Sequence, residues 1–134
     1  MKSWNDVEIP SIEISHGFPA LKLTNSASGM KETVKQKPLY RMYVCGITPY
    51  DATHLGHAAT YLTFDLINRY LRATGAHVSY VQNITDIDDP LLERANRDGV
   101  DWSELAQQQI DLFRSDMVHL RVIPPAHYIG AVEA

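Results

Sequence analysis

The 134 residues include 12 basic and 16 acidic side chains, for a formal net charge of −4, and 45% of them are apolar. That size and composition suit one globular domain with a modest core, and the acidic balance gives no general attraction for a nucleic-acid backbone, which argues against a broad RNA-binding face. A lone cysteine rules out an internal disulfide and favours a reducing compartment, while the absence of a signal peptide in Met1–Pro10 and of any run of about 18 apolar residues points to a soluble, cytoplasmic protein without membrane attachment.

Residues 1–39 are rich in turn formers, with Pro10, Gly17, Pro19, Gly29 and Pro38 interrupting short apolar pieces such as Ala20 to Leu23, so an extended arm or hairpin is expected there. Residues 40–134 read as the first half of a Rossmann-like domain. Arg41 to Ile47 is a short β-rich run that ends in turn residues, as for a buried strand. From Leu55 to Thr74 apolar residues recur at three- and four-residue steps, and Gly75 then stands where a helix stops, which predicts a helix with one buried face. His77 to Ile84 follows as a second strand, and strand, helix, strand at these lengths makes a right-handed parallel crossover. Asp88 or Asp89 caps a further helix with Pro90 in its first turn and Gly99 at its end. Asp101 to Glu104 has capping-box spacing ahead of Leu105, Leu112, Phe113, Met117 and Leu120, and Pro124-Pro125 ends that third helix.

The chemistry concentrates between the first strand and its helix, in Cys45-Gly46-Ile47-Thr48-Pro49-Tyr50-Asp51-Ala52-Thr53-His54-Leu55-Gly56-His57. Open α/β sheets bind ligands at the carboxyl ends of their strands, and helix N-termini present free N–H groups to anions, so a phosphate-bearing ligand is expected here. His54 and His57 fall on one face of the first helical turn, and Gly56 lets a flat ring approach the backbone. Two imidazoles at a helix start suit a triphosphate and the charge that builds up at its α-phosphate. The plain alternative makes them caps or surface residues; half a metal site fits less well, because helical metal pairs favour the i,i+4 spacing. A lone cysteine flanked by apolar residues has plain burial as its ordinary explanation. Asp86, Asp88 and Asp89 could suggest magnesium, but Pro90 directly after them favours capping. Trp102 and Phe113 read as core or helix-face residues.

A strand ending in Tyr43-Val44-Cys45-Gly46 and followed by H-L-G-H resembles the signature of class I aminoacyl-tRNA synthetases, in the version of the cysteine-activating branch, and Tyr80 to Asp89 resembles that branch as well. The branch holds cysteinyl-tRNA synthetases and the ligases that attach cysteine to glucosaminyl-inositol in mycothiol biosynthesis. His57, where the synthetases carry asparagine, together with Gly46 to Thr53, Ala58 to Tyr61 and the opening Lys2-Ser3-Trp4, is similar to the ligases. The resemblance implies activation of L-cysteine by ATP and Mg²⁺ as cysteinyl-adenylate, then transfer to the amine of glucosaminyl-inositol; transfer to tRNA is the alternative.

The resemblance further implies His54 and His57 as catalytic residues and Cys45 as one zinc ligand beside an open position for the thiol of the substrate. It implies that Gly46, Ile47, Thr48, Gly56, Thr60, Asn83, Ile84 and Thr85 line the nucleotide and adenylate. The family's remaining zinc ligands and its lysine-rich K-M-S-K-S-type loop are not among these residues. The segment is therefore expected to be an N-terminal part that is inactive alone, with residues 126–134 leading into further helix and an uncovered sheet that favours self-association. A reading from another class is a non-catalytic nucleotide-binding or interaction module.

Overall fold

The computed structural model describes residues 1–10 and 17–133, so residues 11–16 of the expected arm lie outside the described residues. Two short strands, β1 (Lys22–Asn25) and β2 (Met30–Thr33), form an antiparallel hairpin that turns at Gly29, whose φ of 67° suits glycine. The hairpin is exposed along both strands. It is tied to the rest of the chain at its base, where Leu21 N–H donates to the Tyr70 hydroxyl at 3.2 Å.

A second sheet has three parallel strands in the order β3 (Leu39–Val44), β4 (His77–Ile84), β5 (His127–Gly130). Leu39 pairs with His77 and Val44 with Gln82; on the other side Val81 pairs with His127 and Ile84 with Gly130. Helix α1 (Leu55–Ala73) joins β3 to β4, and helices α2 (Asp89–Asp98) and α3 (Trp102–His119) join β4 to β5. This is the α/β, Rossmann-like strand–helix alternation expected for residues 40 onward. The local signals act where they stand: Asp88 caps α2 ahead of Pro90, Gly99 ends it at a φ of 67°, and the Asp101 carboxylate accepts from the N–H groups of Ser103 and Glu104 to start α3.

One face of the parallel sheet is covered. Val44, Val78, Tyr80, Ile84 and Tyr128 pack against Tyr61 and Leu71 of α1 and Ile110, Phe113 and Met117 of α3. Trp4 reaches this core from the N-terminal arm, where its indole N–H donates to the Val122 carbonyl at 2.7 Å and its ring meets Phe113 and Tyr128 edge-on. Trp102 joins a smaller cluster between α2 and α3.

One sequence expectation is corrected. The run at Arg41 to Ile47 is not a strand buried on both faces: it spans Leu39–Val44, with Leu39, Arg41 and Tyr43 exposed and only Val44 fully buried. Its period-2 alternation is masked because the outward Tyr43 is itself a good β former. Residues 127–130, for which no element was expected, form a strand, since the N–H and C=O groups along the edge of β4 recruit a segment whose own preference is slight. Among the described residues, no helix is long and apolar enough to cross a membrane.

Candidate functional site

The carboxyl ends of β3 and β4 and the start of α1 bring most of the predicted site residues into two groups. The first is built on α1. His54 is its N-cap, in extended conformation (φ −131°, ψ 176°), and forms a capping box with His57 at the third helical position. His54 Nδ1 accepts from Gly56 N–H at 3.0 Å, and His57 Nδ1 accepts from His54 N–H at 3.2 Å. The two rings lie 4.2 Å apart, centre to centre. A ring that accepts at Nδ1 in its neutral form carries its proton at Nε2, so each histidine keeps one outward N–H donor after its capping duty is met. The flat ring that lies against Gly56 is the imidazole of His54, since a Cβ at Gly56 would stand 2.8 Å from its Cε1.

Burial, and then the neighbouring His54, hold the His57 imidazole below its ordinary range, which favours its neutral state. A neutral N–H donor binds a phosphate oxygen without the desolvation penalty of a buried cation, and the free N–H groups and dipole of a 19-residue helix supply the positive potential. Thr60, also exposed, turns its hydroxyl back to donate to the Gly56 carbonyl at 3.1 Å.

The second group lies at the strand ends. Cys45 is exposed just beyond β3. Gly46 N–H donates to Asn83 Oδ1 at 2.9 Å, and Thr85 N–H donates to the Ile47 carbonyl at 3.0 Å, so the loop after β3 is fastened along the end of β4. Gly46 is required by space: a Cβ there would come within 1.6 Å of the Asn83 carbonyl oxygen. Thr48 is half-buried and its carbonyl accepts from Tyr50 N–H at 2.9 Å. Ile47 and Ile84 are both buried, with Ile84 in the sheet core, so only their main chain is left to face a ligand.

Three contributors were not among the expected site residues. Tyr61, buried in α1, donates to the Cys45 carbonyl at 3.3 Å and so links the two groups; burial pushes its hydroxyl well above the ordinary phenol range and keeps it protonated. Tyr43 donates to Asn83 Oδ1 at 3.0 Å. Asp116 accepts from the Thr53 hydroxyl at 2.5 Å, beside a cavity of about 420 Å³ that takes in His54 but not Cys45 or Thr48. Their partners lie on distant elements, and nothing local marks them.

Two of the carboxylates after β4 are occupied. Asp86 is buried and accepts from Val132 N–H at 3.0 Å, and Asp88 caps α2 by accepting from Asp89 N–H at 2.8 Å. Among the described residues no three His, Cys, Asp or Glu side chains gather closely enough to hold a metal ion, so Cys45 brings one thiolate and the residues present do not fit a complete zinc site.

A family model described as the tRNA synthetases class I (C) catalytic domain matches residues 31–134. The chain belongs to this family. Within the class I (C) family the similarity extends to individual enzymes. The L-cysteine:1D-myo-inositol 2-amino-2-deoxy-alpha-D-glucopyranoside ligase of Gordonia bronchialis is 60% identical over 134 residues, which is 100% of this chain and 32% of that protein. The ligase of the same name from Nakamurella multipartita is 62% identical over 134 residues, 100% of this chain and 33% of that protein. A ligase 2 of Corynebacterium jeikeium is 61% identical over 135 residues, covering 100% of this chain and 32% of that protein. The chain spans about a third of the length of these curated relatives.

Proposed function

We propose that this chain is the nucleotide-cradling part of a ligase that activates L-cysteine with ATP as cysteinyl-adenylate, releases pyrophosphate, and transfers the cysteinyl group to the amine of glucosaminyl-inositol. The observation that carries the proposal is the paired-histidine start of α1 at the ends of parallel strands, in a chain similar along its whole length to ligases of that name. Activation as a mixed anhydride gives the carboxylate of cysteine a leaving group. As the carboxylate attacks, negative charge builds up on the α-phosphate, and the outward Nε2–H groups of His54 and His57 are placed to donate to it. Magnesium accompanies the triphosphate in this reading.

The loop at Gly46 to Thr48, with Thr60, Asn83 and Thr85, is assigned to the adenylate. Cys45 is assigned as a single thiolate ligand to zinc, the others coming from the remaining length seen in the relatives. Such a metal supplies a soft partner for the substrate thiol and so a basis for preferring cysteine to serine. The uncovered sheet face, with Leu39, Tyr43 and Ile129 exposed, supports self-association of this chain. A cytoplasmic setting accords with an ATP-consuming biosynthetic step.

Transfer to tRNA is the second reading, favoured by the description of the family. An enzyme carrying this segment, assayed with glucosaminyl-inositol and with tRNA as acceptors, separates the two: cysteine-dependent ATP–pyrophosphate exchange followed by transfer to the amino sugar is expected, and transfer to tRNA alone would overturn the acceptor. Calorimetry of this chain with ATP and with a cysteinyl-adenylate analogue tests the cradle itself. Heat from neither would leave a non-catalytic module.

A further inference from the structure

We infer that Asn83 and Tyr61 are positioning residues for Cys45, gripping the two polar ends of the peptide group that joins Cys45 to Gly46. The carbonyl of that peptide accepts from the Tyr61 hydroxyl at 3.3 Å, and its N–H donates to Asn83 Oδ1 at 2.9 Å. The same Oδ1 receives the Tyr43 hydroxyl at 3.0 Å, so both of its lone pairs are engaged and the amide of Asn83 is itself held in orientation. A third restraint is steric: the main chain of Gly46 lies so close to the Asn83 carbonyl that a Cβ would come within 1.6 Å of it.

A peptide group is rigid and planar, so holding its C=O and its N–H from opposite sides fixes the whole plane. The two anchors come from different elements, Tyr61 from the buried face of α1 and Asn83 from the end of β4. The backbone under Cys45 is therefore clamped although its thiol is exposed, and rotation about its own side-chain bond is the main freedom left. A residue whose task is only to fill space is buried; a thiol presented to solvent on a restrained backbone is preorganised to bind something. Asn83 serves this arrangement through its carbonyl oxygen, which leaves only its amide NH₂ for a ligand.

The consequence for chemistry rests on the reading of Cys45 as a metal-binding thiolate, but the clamp can be tested apart from it. Cys45 is the only cysteine in the chain, so thiol chemistry reports on it alone. Hydrogen exchange at the Gly46 amide and alkylation of Cys45 by iodoacetamide are measured in the unchanged chain and in Asn83→Ala, Asn83→Asp and Tyr61→Phe. Aspartate keeps an acceptor oxygen where asparagine has one. Gly46 exchange about tenfold faster in Asn83→Ala is expected, the scale of losing one hydrogen bond, with an altered alkylation rate and with both returned by Asn83→Asp. Tyr61→Phe is expected to alter alkylation while Gly46 stays protected. Unchanged Gly46 exchange in Asn83→Ala, no rescue by aspartate, or unchanged alkylation in Tyr61→Phe would each overturn the inference. Asn83→Asp and Tyr61→Phe preserve side-chain volume, so the decision stands on them if the alanine variant does not fold. No readout involves ATP or substrate cysteine, so the clamp and the ligase reading can fail separately.

Discussion

Replacing His54 by asparagine and by alanine separates the two duties of its ring. Alanine removes the acceptor for Gly56 N–H, a cap bond of 3.0 Å at the start of the helix that supplies Tyr61 and Leu71 to the core. An N-cap lost to alanine costs about 1 kcal/mol, which for a chain of this size lowers the melting temperature by roughly 3–5 °C. Asparagine is itself a favoured N-cap, so it should recover most of that loss, yet it has no Nε2–H projecting toward a phosphate. In an enzyme carrying this segment, both variants should slow cysteine-dependent ATP–pyrophosphate exchange by about 10²–10³-fold, as when one transition-state donor is removed. Thermal melts of this chain and exchange kinetics in the longer enzyme give the two readings. Stability recovered by asparagine without activity is expected. Undiminished exchange in His54→Asn would refute the donor role, and an asparagine variant as unstable as alanine would refute the cap.

Further perturbations probe the rest of the site. His57 titrates below its ordinary range in the folded chain, so below about pH 6.5 the unfolded chain binds the proton first; stability is complete above that pH and declines as pH falls through it, and His57→Gln, which can still serve the capping box, should flatten the slope of melting temperature between pH 7.5 and 5.5. An equal slope in the variant would show that the other histidines set it. Gly46→Ala forces a methyl into the Asn83 carbonyl and should cost at least the roughly 1–3 kcal/mol of an overpacked site, read as a denaturation midpoint well below that of the unchanged chain; a neutral outcome would mean that the loop after β3 is not held against β4. The uncovered sheet face should mediate association, so Leu39→Lys with Ile129→Lys should lower the mass found by sedimentation equilibrium, and a mass already monomeric before substitution would dismiss that proposal.

Which parts of the fold could be read from the residues follows from the range of the forces involved. The bounds of α2 and most of β4 come from neighbours in sequence: Asp88 and Pro90 act within one turn, Gly99 supplies the left-handed residue that ends a helix, and His77 to Ile84 is rich in β formers, although buried Gln82 and half-buried Val81 break its polar–apolar alternation. Strand β5 has no such support. Tyr128 and Ile129 are its only strong β formers, and its pairing depends on Val81 to Ile84, more than forty residues earlier. Trp4 is a comparable case, since an aromatic residue in a turn-rich arm carries no mark of the Val122 carbonyl that receives its N–H. The same division runs through the site. His54, Gly56 and His57 announce themselves by spacing, whereas Tyr61, Tyr43 and Asp116 matter only because folding brings Cys45, Asn83 and Thr53 to them.

The two histidines also show why spacing alone could not choose between a cap and a phosphate site. At the level of sequence these are rival explanations, because each accounts for a polar residue at a helix start. Imidazole has two nitrogens on different sides of the ring, and the capping box engages only Nδ1 of each. Capping then fixes the tautomer, and the tautomer leaves Nε2 as a donor aimed away from the helix. A serine or aspartate in the first of these positions would cap equally well but keep no second donor at that distance from the backbone. The structural role therefore prepares the chemical one, and the depressed titration range of His57 acts in the same direction by keeping its ring neutral. Glutamine at His57 can likewise keep the capping box, but it also removes the ring whose titration is depressed, so the asparagine substitution at His54, where a smaller side chain can take over the cap alone, is the more informative one.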